Sequence, residues 1–134
     1  MYEGGGAFSQ LWYGFSLTDL YVRLDPVQGA DVSGELRILV TRGKDERTLR
    51  MQVVPSGAET SVVDERGTKC GAGRAGTLVE LSVAIGALGL APGDRAGMLL
   101  RLTRAGVEAD RLPRYGELEL TVPDQTFEQT HWHV

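Results

Sequence analysis

Side chains alternate with period two in six separate stretches of this 134-residue chain, while apolar spacing of helical period is almost absent. Successive side chains of a strand point to opposite faces, so a strict apolar/polar alternation marks a strand with one dry and one wet face. In "DLYVRLD", Leu20, Val22 and Leu24 share one face, with Tyr21 and Arg23 on the other. "GELRILV" aligns Leu36, Ile38 and Val40 against Arg37. "TLRMQVV" aligns Leu49, Met51 and Val53 against Arg50 and Gln52. "TLVELSV" sets Val79, Leu81 and Val83 against Glu80 and Ser82. "GMLLRLT" sets Met98, Leu100 and Leu102 against Arg101, and "GELELTV" sets Leu118, Leu120 and Val122 against Glu117, Glu119 and Thr121. One wet face per strand is the pattern of antiparallel sheets; strands of a parallel α/β core are buried on both faces.

The segments between these strands carry turn chemistry, among them "GADVSG", "RGKDE", "VPSGAE", "DERG", "CGAGRAG" and "LAPGD". Eighteen glycines fit many tight turns and short elements. The single helical stretch is "AIGALGLAPGD", where a short helix or 3₁₀ turn ends at Gly89, ahead of Pro92. The fold expected is all-β, a two-layer antiparallel β-sandwich of jelly-roll or immunoglobulin-like type, with about eight strands and one short helix. It fills residues 1–134 as one domain, with 1–7 as a flexible N-terminus.

Composition narrows the function. A net charge of −4 argues against nucleic acid, because no basic stripe is available to neutralise phosphates. The lone cysteine, Cys70, excludes an internal disulfide and reads as a free thiol in a reducing compartment. No apolar run reaches the length of a membrane span, and "MYEGGGAFSQ" lacks the regions of a signal peptide. The expected location is cytoplasmic.

The first hairpin offers a candidate site. With a loop centred on Ser16 and Leu17, Leu11 lies opposite Val22 and Tyr13 opposite Leu20, pairing apolar with apolar. Trp12 then lies opposite Tyr21, and Gln10 opposite Arg23, on the outer face. Exposed aromatics stack on pyranose rings and Arg or Gln bonds hydroxyls, so Gln10, Trp12, Tyr21 and Arg23 form a candidate sugar-binding patch. The same four residues suit a face covered by another domain or subunit.

The closing "THWHV" places His131 and His133 on one strand face and Trp132 and Val134 on the other. H-x-H can hold a metal, but zinc wants three or four ligands, and the spacing of Asp124 or Glu128 does not demand a third. His131 and His133 are therefore weak metal candidates, and no cofactor is expected. The acid pairs Asp64/Glu65, Glu108/Asp110 and Glu117/Glu119 read as solvated faces or charge neighbours, more than as the two carboxylates of a glycosidase. No nucleophile elbow, P-loop or dinucleotide fingerprint occurs.

Three stretches taken together, "LWYGFSLTDLYVRLDP", "VELSVAIGALGLAPGD" and "ADRLPRYGELELTVPDQTFEQTHWHV", resemble the C-terminal domain of family-57 glycoside hydrolases, enzymes of α-glucan metabolism. The same logic runs through DOMON-like and family-9 carbohydrate-binding β-sandwiches. The chain departs from the pattern in reading "DRLP" for "ERLP", and in lacking the proline of the strand-to-turn segment. The resemblance implies a non-catalytic accessory domain, because the family's catalytic groups belong to an N-terminal barrel absent from this chain. The chain is then part of a longer enzyme or a domain encoded alone. Its implied partners are that catalytic barrel or an α-glucan, with no nucleic acid and no membrane. The alternatives are a free-standing carbohydrate-binding module and a structural docking or homodimerisation sandwich. A haem or metal role, as some DOMON-like relatives have, would rest on His131 and His133.

Overall fold

A computed structural model of the chain describes residues 2–3 and 6–124. Its strands are β1 (Tyr2–Glu3), β2 (Phe8–Phe15), β3 (Asp19–Pro26), β4 (Gly34–Arg42), β5 (Asp45–Val53) and β6 (Glu59–Val63). They continue with β7 (Lys69–Ala75), β8 (Val79–Ala84), β9 (Arg95–Arg104), β10 (Val107–Leu112) and β11 (Leu118–Thr121). A 3₁₀ turn, Ile85–Leu88, follows β8 and ends on Gly89, whose φ of 72° is a left-handed conformation that glycine adopts without steric cost.

The all-β, antiparallel expectation holds; the two-layer sandwich of about eight strands does not emerge. Ten strands form one hydrogen-bonded path, β1-β2-β3-β8-β7-β6-β5-β4-β9-β10, and β11 pairs separately with β9. The long strand β9 therefore serves two neighbours on one edge, β11 at its start and β10 at its end.

The sheet curls until its ends meet, giving a nearly closed barrel. At the seam the Phe8 amide donates to Asp110 Oδ2 at 2.9 Å, and the Arg111 amide donates to Oδ1 of the same carboxylate at 2.8 Å. Asp110 is only 6% exposed, the one buried charged side chain among the described residues. It sits at an irregularity in the β9–β10 register and supplies, from a side chain, the acceptors that a regular ladder would supply from the backbone. Further along, Tyr13 Oη donates to the Glu119 carbonyl at 3.4 Å, joining β2 to β11.

All eighteen side chains predicted to face inward from the six alternating stretches are buried in a single core, together with Phe8, Leu11, Leu88 and Leu112. The interior is apolar and leucine-rich, and the outer positions carry Arg and Glu. Among the described residues, no helix is long and apolar enough to cross a membrane.

The segment "CGAGRAG", expected as a turn, lies largely in strand β7. Its inward positions are Gly71, Gly73 and Ala75, opposite Val83, Leu81 and Val79. A Cβ at Gly73 would lie 2.6 Å from both Met51 Sδ and the Glu80 carbonyl, and one at Gly71 would strike the Ser82 carbonyl. Neighbouring atoms already fill the space where side chains would point, so apolar alternation is absent here.

Candidate functional site

The β2–β3 hairpin builds the site, in a register two residues from the expected one. Trp12 lies opposite Arg23, Gly14 opposite Tyr21, and Leu11 opposite Leu24. The loop is centred one residue later than expected, on Leu17 and Thr18. The Ser16 amide donates to the Asp19 carbonyl at 2.9 Å, and Ser16 Oγ accepts from the Thr18 and Asp19 amides at 3.2 and 3.0 Å. A shift of two preserves the faces. Trp12 and Tyr21 are indeed on the outer surface, 40% and 48% exposed.

Trp12 is held in place on two sides. The Arg23 guanidinium lies 5.1 Å from the indole centroid, a cation–π distance, and indole Nε1 donates to Asp25 Oδ2 at 3.2 Å. Arg23 in turn binds Asp25 through Nε at 2.9 Å and Nη2 at 3.2 Å. Asp25 thus fixes both the aromatic ring and the cation that covers it. Sequence reasoning missed Asp25, although it lies two positions from Arg23 on the same face of β3.

Between Trp12 and Tyr21 lies Gly14, where an added Cβ would meet nothing within 4 Å. The resulting cleft has a volume of about 390 Å³ and is lined by Trp12, Gly14, Tyr21, Arg23 and Glu80. A second hollow of about 230 Å³ adjoins it, sharing Tyr21 and Glu80 and adding Arg74, Glu59 and Ser82. Gln10 lies opposite Asp25, outside the cleft. Of the four candidates the structure brings together Trp12, Tyr21 and Arg23.

Register explains the shape. Trp12, Arg23, Glu80, Arg74 and Glu59 are successive partners across β2, β3, β8, β7 and β6. Past Trp12, the charges alternate in sign. The neighbouring row is Gly14, Tyr21, Ser82, Ala72 and Ser61, in which only Tyr21 is large. A row of small side chains beside a row of long ones makes a groove across the strands.

The other candidates fall elsewhere. Glu108 lies 3.3 Å from Arg101 on the outside, while Asp110 is buried at the seam, so the two do not converge on one substrate. Asp64 accepts from the Arg66 and Thr68 amides and so shapes its own turn, while Glu65 accepts from the Thr48 amide and ties that turn to β5. Glu117 and Glu119 line a separate hollow of about 380 Å³ with Thr41, Arg42 and Gly97. Burial, with the Asp64 charge adding to it, pushes the Cys70 thiol up from its ordinary value, which disfavours the reactive thiolate. Among the described residues no group of three or more His, Cys, Asp or Glu side chains is placed to hold a metal ion. His131 and His133, with Trp132, lie outside the described residues.

No protein-family model, curated protein or solved structure matches this chain, and none of these comparisons links it to the family-57 glycoside hydrolases.

Proposed function

We propose that this chain is a non-catalytic carbohydrate-binding domain, an accessory to an α-glucan-acting enzyme, and that the Trp12–Tyr21 cleft holds the sugar. The observation that carries the reading is the clamped indole. Trp12 is half exposed yet fixed by Arg23 and Asp25, so a ring stacking on it meets a surface that loses little freedom on binding. Glycine at position 14 leaves room for the ring, and Glu80, Arg23 and Ser82 stand where hydroxyls need donors and acceptors. The resemblance of three sequence stretches to family-57 C-terminal domains is what suggests an α-glucan. The same exposed aromatics, with Leu17 60% exposed at the hairpin tip, support a second reading in which this face docks on a catalytic barrel.

Calorimetric titration with a maltooligosaccharide separates the two. Binding that Trp12→Ala abolishes and Gly14→Val blocks is the expected result; Gly14 has an ordinary backbone conformation and open space above it, so the valine variant should fold. Failure of every α-glucan to bind the unmodified protein would remove the glycan reading and leave docking.

A further inference from the structure

A row of arginines crosses the outer face of β5, β4, β9 and β10. Arg50 is paired with Arg37, Arg37 also with Arg101, and Arg101 with Arg111, each directly opposite the next. The low net charge of the chain hid this stripe, because the four residues lie on four strands and only the register aligns them. Like charges directly opposite one another in a sheet are unfavourable. Their compensation is incomplete. Arg37 has Glu35 at 2.6 Å, and Arg101 has Glu108 at 3.3 Å but its Nε makes no hydrogen bond. Among the described residues, Arg111 donates only to the neutral carbonyls of Pro113 and Gly116, and Arg50 has no acceptor.

We infer that this row is a docking site for an acidic helix of a partner protein. The match is geometric as well as electrostatic. Strands are about 4.8 Å apart, so four arginines span roughly 14 Å. Carboxylates at i, i+4, i+7 and i+11 of a helix span roughly 16 Å, at a similar spacing. The borders of the row are unequal. On one side lie the half-buried Leu39 and Thr48, beside a buried Leu99, and Leu39 suits the apolar flank of such a helix; on the other lie Glu35 and Glu108, with Gln52 and Thr103. A nucleic acid duplex would be broad enough to cover those carboxylates. Single-stranded nucleic acid is held by base stacking on aromatics, and β4, β5, β9 and β10 contain none. This inference is independent of the glycan reading, which concerns other strands.

The test uses the whole chain and two synthetic helical peptides of identical composition. One carries glutamates in a row at i, i+4, i+7 and i+11 beside leucines, and the other has them scattered around the helix. The aligned peptide should bind with an affinity that falls as salt rises, and the scattered one should not bind. Arg50→Gln and Arg101→Gln should each weaken binding about tenfold, as the loss of a charge-assisted hydrogen bond does. Arg50→Gln should leave the thermal midpoint unchanged or raise it, since it removes a repulsion and no acceptor. Equal binding of both peptides, tighter binding of an oligonucleotide, an Arg50→Gln variant of undiminished affinity, or one with a lowered midpoint would each overturn the proposal.

Discussion

On the outer face of β3, β8, β7 and β6, each charge meets its opposite: Arg23 faces Glu80, Glu80 faces Arg74, and Arg74 faces Glu59. On the outer face of β5, β4, β9 and β10, arginine faces arginine three times over. The strands of both faces belong to one sheet and share one core. What differs is which outward residue the register sets beside which. The first face balances its charges and leaves a cleft beside a clamped tryptophan. The second keeps a stripe of four arginines whose charges are only partly balanced, by Glu35 and Glu108.

Substitutions break or sharpen this contrast to different degrees. The largest effect should come from the shared interior. Phe8 is fully buried at the seam, and Phe8→Ala should cost about 3–5 kcal/mol in chemical denaturation while weakening binding at both faces together. If one face kept its affinity in a largely unfolded variant, the two would not depend on a common barrel.

Next in size is the seam carboxylate. Asp110→Ala leaves the Phe8 and Arg111 amides without their acceptor and should lower stability by about 1–3 kcal/mol, with hydrogen exchange at Phe8 accelerated. A loss no greater than that of an exposed alanine variant would mean that the sheet ends hold together without it.

Charge reversals compare the faces directly. Glu80→Arg would set three arginines side by side on the balanced face and should destabilise by up to about 1 kcal/mol. Arg50→Glu would give the arginine face one opposite pair and should stabilise by a few tenths of a kcal/mol to about 1 kcal/mol. The same sign for both changes in thermal melts would contradict the contrast.

The smallest effect is a pH dependence in the turn that precedes β4. The hydroxyl and then the amide of Ser33 hold the Asp31 carboxyl below its ordinary value, with the Arg104 charge contributing less. A carboxyl depressed in the folded state favours folding above its unfolded pKa, and that contribution is lost as pH falls through the folded value. The turn around Asp31 should therefore hold at neutral pH and loosen only in distinctly acid solution, which a carboxyl-detected NMR titration reads. A midpoint at or above the ordinary aspartate value would contradict the hydrogen bonding.

Much of this was legible in the sequence where side chains report on packing. Leu20, Val22 and Leu24, and their counterparts in five other stretches, are buried because the pleat sends every second residue inward. The 3₁₀ turn ending at Gly89 was legible for a similar reason, a local conformation signalled by local residues. Strand β7 was not, since its inward residues are glycines and an alanine where neighbours already fill the core. Strand β10 was obscured by a buried aspartate in an inward position and by its irregular register. The hairpin register slipped by two because the turn held by Ser16 is centred on Leu17 and Thr18, one residue later than expected. Closure into one sheet depends on a contact between Phe8 and Asp110, 102 positions apart, which no local pattern announces. Trp12, Tyr21 and Arg23 were found from phase alone. Gly14, Asp25 and Glu80 joined them only once the cross-strand partners were known, as did the arginine stripe.

The two faces can be read in one experiment, amide chemical-shift mapping of the labelled chain titrated first with a maltooligosaccharide and then with the aligned acidic helix. The sugar should move Trp12, Gly14, Tyr21, Arg23 and Glu80, and the helix should then move Arg37, Arg50, Arg101 and Arg111 without disturbing the first set. Shifts from both ligands on one common set of residues, or none from either, would contradict the assignment of two separate binding faces to one barrel.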